Sequence, residues 1–181
     1  MLRASGHDVQ VWNAGVSSDT FAMMLARLDQ HVPNGVKIVI LQGGYNDLLR
    51  RSDPAWVTGY IQAIVSRLRA RNINVVLCGF FYPEWDAVGI AVAQQYGAVF
   101  VAGGSCYDSR YLGFDGLHMT ATGHQVVATR LLPVVQRLLS RTRRSLMWLH
   151  APGLDRLGRR ETVPTAQSNP GECSRATQRE I

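Results

Sequence analysis

Long apolar runs are missing from this 181-residue chain. None approaches the roughly 20 consecutive apolar residues that a helix needs to cross a bilayer. The opening residues, Met1-Leu2-Arg3-Ala4-Ser5-Gly6-His7, also lack the apolar stretch of an export signal. A periplasmic or secreted location would therefore require a leader ahead of Met1, and the compartment stays open. Cysteine is scarce: Cys78, Cys106 and Cys173 are odd in number and form no Cys-x-x-Cys pair. Neither a disulfide framework nor a zinc site is expected from them, and Cys78, inside an apolar run, reads as a small core residue. Charged residues make up only 18% of the chain, with a formal net charge of +6. From Arg141 to Ile181 eight arginines face four acids, so +4 of the +6 lies in that last segment. Arg141, Arg143 and Arg144 could touch a nucleic acid, but a solvated basic tail accounts for them better, and no nucleic-acid partner is expected.

What is present is enough apolar material for one core. With 46% hydrophobic residues, the chain can bury a sizeable single domain over about 1–141. Residues 142–181 mix Pro152, Gly153, Pro164, Pro170 and Gly171 with polar residues and keep no period, the composition of a weakly ordered extension.

Short β-rich runs alternate with helical periods, a pattern that predicts a parallel sheet with helices on both faces. Val9–Trp12, Lys37–Gln42, Val75–Gly79 and Val99–Val101 are the predicted strands, the second buried by its apolar continuity. A helix is expected from about Thr20 to His31, stopped by Pro33-Asn34-Gly35. Another opens at Ser52-Asp53-Pro54 and buries Ile61, Ile64, Val65 and Leu68. A third covers about Asp86 to Tyr96, and Thr120 caps a last one that turns Val126, Val127, Leu131, Val134, Val135 and Leu138 inward, with a kink at Pro133.

In such sheets a ligand site lies outside the carboxyl ends of the strands. Three polar segments fall there: Asn13-Ala14-Gly15, Gly43-Gly44-Tyr45-Asn46-Asp47, and Asp115-Gly116-Leu117-His118. A carboxylate three residues before a histidine is half of a hydrolytic triad. Each segment has a plainer reading, since a turn alone explains Gly15, a loop cap explains Asn46, and an isolated Asp-x-x-His is common. Their order and shared placement favour a site. Tyr45, Phe80, Phe81, Tyr82, Trp85 and Tyr107 could line an acyl or aryl pocket beside it, although aromatic residues at loop starts as often cap a core. Surface roles are expected for Asp108 and His124.

Together these segments resemble the SGNH (GDSL-type) hydrolase family, with its arylesterase, acyl-thioesterase and lysophospholipase branches. The resemblance covers about Leu2 to Arg141. Asn13 to Thr20 is similar to the family's second block, Gly44-Tyr45-Asn46-Asp47 to its Gly-x-Asn-Asp block, and Asp115 to His118 to its closing Asp-x-x-His block. The resemblance implies a flavodoxin-like three-layer α/β/α fold and hydrolysis of small acyl esters, thioesters or acetylated sugars, with no metal and no organic cofactor. It assigns His118 as acid–base, Asp115 as its orienting carboxylate, and the Gly15 backbone N–H and Asn46 amide as oxyanion donors. Gly44 and Tyr45 would touch substrate. Such donors matter because charge develops on the carbonyl oxygen in the transition state, and removing one costs about 3 to 4 kcal/mol in model enzymes.

The family's first block, Gly-Asp-Ser at the end of the first strand, has no counterpart here. Only fourteen residues precede Gly15. Ser5 lies before the Val9–Trp12 run, at the wrong edge of the sheet to replace the nucleophile. Ser17 or Asp19 is expected to cap the following helix. The chain therefore reads as lacking its first, central strand, so that Val9–Trp12 would have no neighbour and the fold would be marginal unless another segment filled the gap. Two functional readings follow: an impaired fragment of a serine esterase, or a non-catalytic remnant or binding module that keeps the oxyanion pocket.

Overall fold

Residue 75 to residue 78 shows how the chain builds its layers. Val75 and Leu77 are buried with one set of apolar residues, Val76 and Cys78 with another, as the two-residue period of a strand requires. In a computed structural model of the chain, which describes residues 1–79 and 83–149, this strand is the centre of a three-stranded parallel sheet. β1 (Ile38–Leu41), β2 (Asn74–Cys78) and β3 (Val99–Val101) lie in that order, with Ile38 opposite Asn74 and Val76 opposite Val99.

Helices cover both faces. On one, α1 (Phe21–Ala26), α2 (Leu28–His31), α4 (Pro54–Ala70) and α5 (Pro83–Tyr96) close over Val75 and Leu77. On the other, α7 (Ala121–Leu149) packs Val127, Leu131 and Leu138 against Val76 and Cys78. This is the expected three-layer α/β/α arrangement. α4 begins where Asp53 accepts the Ala55 N–H and Pro54 fills the first turn, and it buries Ile61, Ile64, Val65 and Leu68 as expected. The helix expected from Thr20 is divided at Arg27 into α1 and α2, with Thr20 rather than Ser17 or Asp19 accepting the Met23 N–H as its cap. α7 continues through Pro133 and past Arg141 to Leu149. Chain contacts separate two units, Met1–Arg144 and Ser145–Ile181. Most of the basic extension expected at 142–181 lies outside the described residues, as do Phe80, Phe81 and Tyr82. Among the described residues no helix is long and apolar enough to cross a membrane.

Three expectations are corrected. Val9–Trp12 is not a strand: Val11 is 84% and Trp12 74% exposed, because no described strand lies alongside to complete a ladder. The run expected at Lys37–Gln42 is shorter and sits at the sheet edge, leaving Ile40 47% exposed where burial was expected. The cysteines do pair. Cys78 and Cys106 form a disulfide between Cα atoms 5.8 Å apart, although 28 residues separate them in the chain.

Candidate active site

The carboxyl ends of β1 and β3 lead into the loops that carry two of the three polar segments, residues 43–47 and 115–118. After β1, Gly44 takes a left-handed conformation (φ 101°) that turns the chain into α3 (Tyr45–Leu49). After β3 come α6 (Gly103–Cys106) and a loop that returns on itself before α7. That loop is closed by an isolated antiparallel bridge between Leu112 and Met119 and by the Gly113 N–H donating to the His118 carbonyl at 2.7 Å.

Within it Asp115 and His118 meet as expected. Asp115 Oδ2 lies 2.7 Å from His118 Nδ1, while Oδ1 accepts the backbone N–H groups of Leu117 and His118, each at 3.0 Å. Gly116, at φ 65°, makes the reversal that brings both amides back onto the carboxylate. These bonds hold the Asp115 pKa down at about 2: the Leu117 N–H contributes most, then the His118 ring and the His118 N–H. A carboxylate in this position keeps a neutral ring protonated on Nδ1, leaving Nε2 as the base. His118 is 78% exposed at its side chain, and among the described residues Nε2 has no hydrogen-bond partner.

The two expected oxyanion donors are placed differently. The Gly15 N–H is exposed at the end of the unpaired Val9–Trp12 segment and donates to Asn13 Oδ1 at 2.9 Å, a local turn. Asn46, half-buried in α3, donates from Nδ2 to the Asp19 carbonyl at 2.9 Å. One amide hydrogen of Asn46 therefore fixes the loop before α1. No described hydrogen bond joins Gly15 or Asn46 to Asp115 or His118. Of the expected substrate residues, Gly44 is buried, and Tyr45 is 37% exposed at the start of α3. Tyr45 and Asp115 both lie close enough to Tyr107 to act on its phenol electrostatically, after burial, which raises its pKa most.

Two further acids belong to the framework of the site. Asp47, 2% exposed, accepts the Phe21 N–H on both oxygens, at 3.1 and 3.3 Å, and so pins the first turn of α1 to α3. Burial raises its pKa against the opposing effect of the Phe21 N–H. Asp108 is buried rather than on the surface as expected, while His124 is exposed. Arg110 and Arg130 enclose Asp108, with both Nη2–Oδ2 distances 2.7 Å, and Arg110 foremost holds its carboxyl well below the usual range. Arg130 extends from α7 and also donates to the Gly104 carbonyl, so this cluster fastens the loop after β3 to the last helix. The pairing of Asp108 had no local signal beyond the nearby Arg110. A depression lined by Thr20, Asp47, Arg50, Trp56 and Tyr60 contains none of Gly15, Asn46, Asp115 or His118. Among the described residues no cluster of His, Cys, Asp or Glu has the makings of a metal site.

Residues 1–126 match the model of the GDSL-like lipase/acylhydrolase family. The chain belongs to that family. A Vibrio mimicus arylesterase is 37% identical over 80 residues, which are 42% of this chain and 38% of that protein. Esterase TesA of Pseudomonas aeruginosa is 34% identical over 101 residues, 54% of this chain and 50% of its own. The chain thus spans half or less of the length of these curated relatives. A crystal structure of TesA superposes with a TM-score of 0.67 at 27% identity, covering 76% of this chain and 83% of that one. The SGNH hydrolase fold accounts for the parallel sheet and the helices on both faces.

Proposed function

We propose that the chain carries the acid–base arm and oxyanion residues of a serine ester hydrolase acting on small acyl esters or thioesters through an acyl-enzyme. The observation that supports this most is the 2.7 Å bond from Asp115 Oδ2 to His118 Nδ1, which leaves Nε2 exposed and ready to take a proton. In this reading a serine hydroxyl attacks the substrate carbonyl as His118 Nε2 accepts its proton. Asp115 stabilises the resulting imidazolium. The carbonyl oxygen becomes an oxyanion, stabilised by the Gly15 N–H and the second Nδ2 hydrogen of Asn46. His118 then returns the proton to the departing alcohol or thiol. Water repeats the sequence on the acyl-enzyme and frees the acid.

The polypeptide by itself is an impaired form of that catalyst. No described hydroxyl is hydrogen-bonded to Nε2, and the Gly15 N–H is turned onto Asn13. Loss of a triad serine costs about a millionfold in a well-studied protease. The second reading is a non-catalytic remnant or binding module that retains the oxyanion residues; the engaged Gly15 donor favours its lack of turnover. Turnover of a chromogenic short-chain ester and labelling by a fluorophosphonate separate the two. Residual or absent turnover in the chain alone, recovered when a strand ending in Gly-Asp-Ser is joined ahead of Met1, supports the hydrolase. No recovery in a folded product supports the binding module.

A further inference from the structure

Tyr107 links the acid–base loop to the ends of the central strands. Cys106, fully buried, is bonded through sulfur to Cys78 at the end of β2, and its carbonyl accepts Gln42 Nε2 at 2.9 Å just beyond β1. The next residue, Tyr107, reaches in the other direction: its hydroxyl donates to the Leu117 carbonyl at 3.3 Å. The Leu117 N–H in turn donates to Asp115 Oδ1, and the Leu117–His118 peptide carries the His118 N–H to the same oxygen.

We propose that Tyr107 is a positioning residue for the Asp115–His118 pair, fixing the Leu117 peptide from an anchor that Cys106 provides at the strand ends. The proposal rests on the reading of Asp115 and His118 as an acid–base arm. Its consequence is chemical as well as mechanical. With the Leu117 carbonyl held, Asp115 stays aligned on Nδ1, and the neutral ring is kept in the tautomer that leaves Nε2 free. If the Leu117–His118 peptide turns, Oδ1 loses the His118 N–H and the carboxylate can swing away from the ring. Burial first, then the nearby Tyr45 and Asp115, raises the phenol pKa, so the hydroxyl remains a donor in the pH range where the histidine works.

The test reads the ring of His118 without requiring turnover, so it stands apart from failure of the proposed esterase activity. Nitrogen-15 NMR of the full 181-residue chain at about pH 9, above the ordinary imidazole range, reports the tautomer, with the His118 signal identified by its loss in His118→Gln. The native chain is expected to show the Nδ1–H form. In Tyr107→Phe the ratio of Nδ1–H to Nε2–H falls about 10-fold, the worth of one hydrogen bond, with an unchanged far-UV circular dichroism spectrum. Dithiothreitol gives a second reading. Its two thiols are oxidised to a cyclic disulfide as Cys78 and Cys106 take up two electrons and two protons to become thiols, and the same tautomer shift is expected. Native His118 signals in Tyr107→Phe, or in the reduced chain, overturn the proposal. So does loss of the folded spectrum in Tyr107→Phe, which would make the hydroxyl a support of the fold at large.

Discussion

Asp115 holds His118 at two points, taking the ring at Oδ2 and the backbone N–H at Oδ1. Both bonds, with that from the Leu117 N–H, favour the ionised carboxylate and bring its pKa down to about 2 from an ordinary 3.8. A depressed carboxylate gives a contribution that is present above the ordinary value and is lost as pH falls through the depressed one. The Asp115 loop should therefore stay intact down to about pH 4 and open between that and about pH 2. Carbon-13 titration of the Asp115 carboxyl, followed with the Leu117 and His118 amide signals, should give a midpoint near 2. A midpoint at 3.8 with unchanged amides would mean that these bonds are not formed in solution.

Asp47 should respond with the opposite sign. Burial raises its pKa, so folding favours the protonated acid and the cost of the charge disappears as pH falls through the native value. Asp47→Asn removes that charge and keeps an acceptor for the Phe21 N–H. It is expected to be at least as stable as the native chain at pH 7 and to lose the relative gain on acidification. Asp47→Ala leaves a buried N–H without its acceptor and should cost about 1–3 kcal/mol. Urea unfolding of the three chains between pH 7 and pH 4 decides the matter.

The disulfide should contribute measurable stability. Its 28-residue separation corresponds to about 3–4 kcal/mol of lost entropy in the unfolded chain. Cys78→Ser with Cys106→Ser should unfold at lower denaturant by that amount, and dithiothreitol should then have no further effect on the double variant. Equal midpoints for the native chain with and without reductant would show that the bond is not formed.

The elements readable in advance were those whose signals are local. Asp53-Pro54 and the apolar spacing through Leu68 located α4, and Thr120 with the spacing Val127, Leu131, Val135, Leu138 located α7. Asp115 and His118 were legible because three residues and one glycine suffice to close their bond. Features that depend on distant partners were not. Val9–Trp12 has strand-forming residues, but a strand exists only with a neighbour, and none is present among the described residues. Cys78 and Cys106 become partners only when β2 and α6 are brought together by β3. Asp108 likewise looked solvated until Arg130 arrived from α7. The Gly15 N–H shows the same dependence at the site: lacking a strand beside it, the segment closes onto Asn13.

The central proposal, that these residues are the acid–base and oxyanion part of a serine hydrolase in which no described hydroxyl is bonded to His118 Nε2, is tested most directly by fluorophosphonate labelling read by intact-protein mass. The chain alone should remain unlabelled. The same chain preceded by an apolar strand ending in Gly-Asp-Ser should gain one phosphonyl group, and His118→Ala in that extended chain should abolish the gain. Stoichiometric labelling of the 181-residue chain itself, or an extended and folded chain that stays unlabelled, would contradict the account.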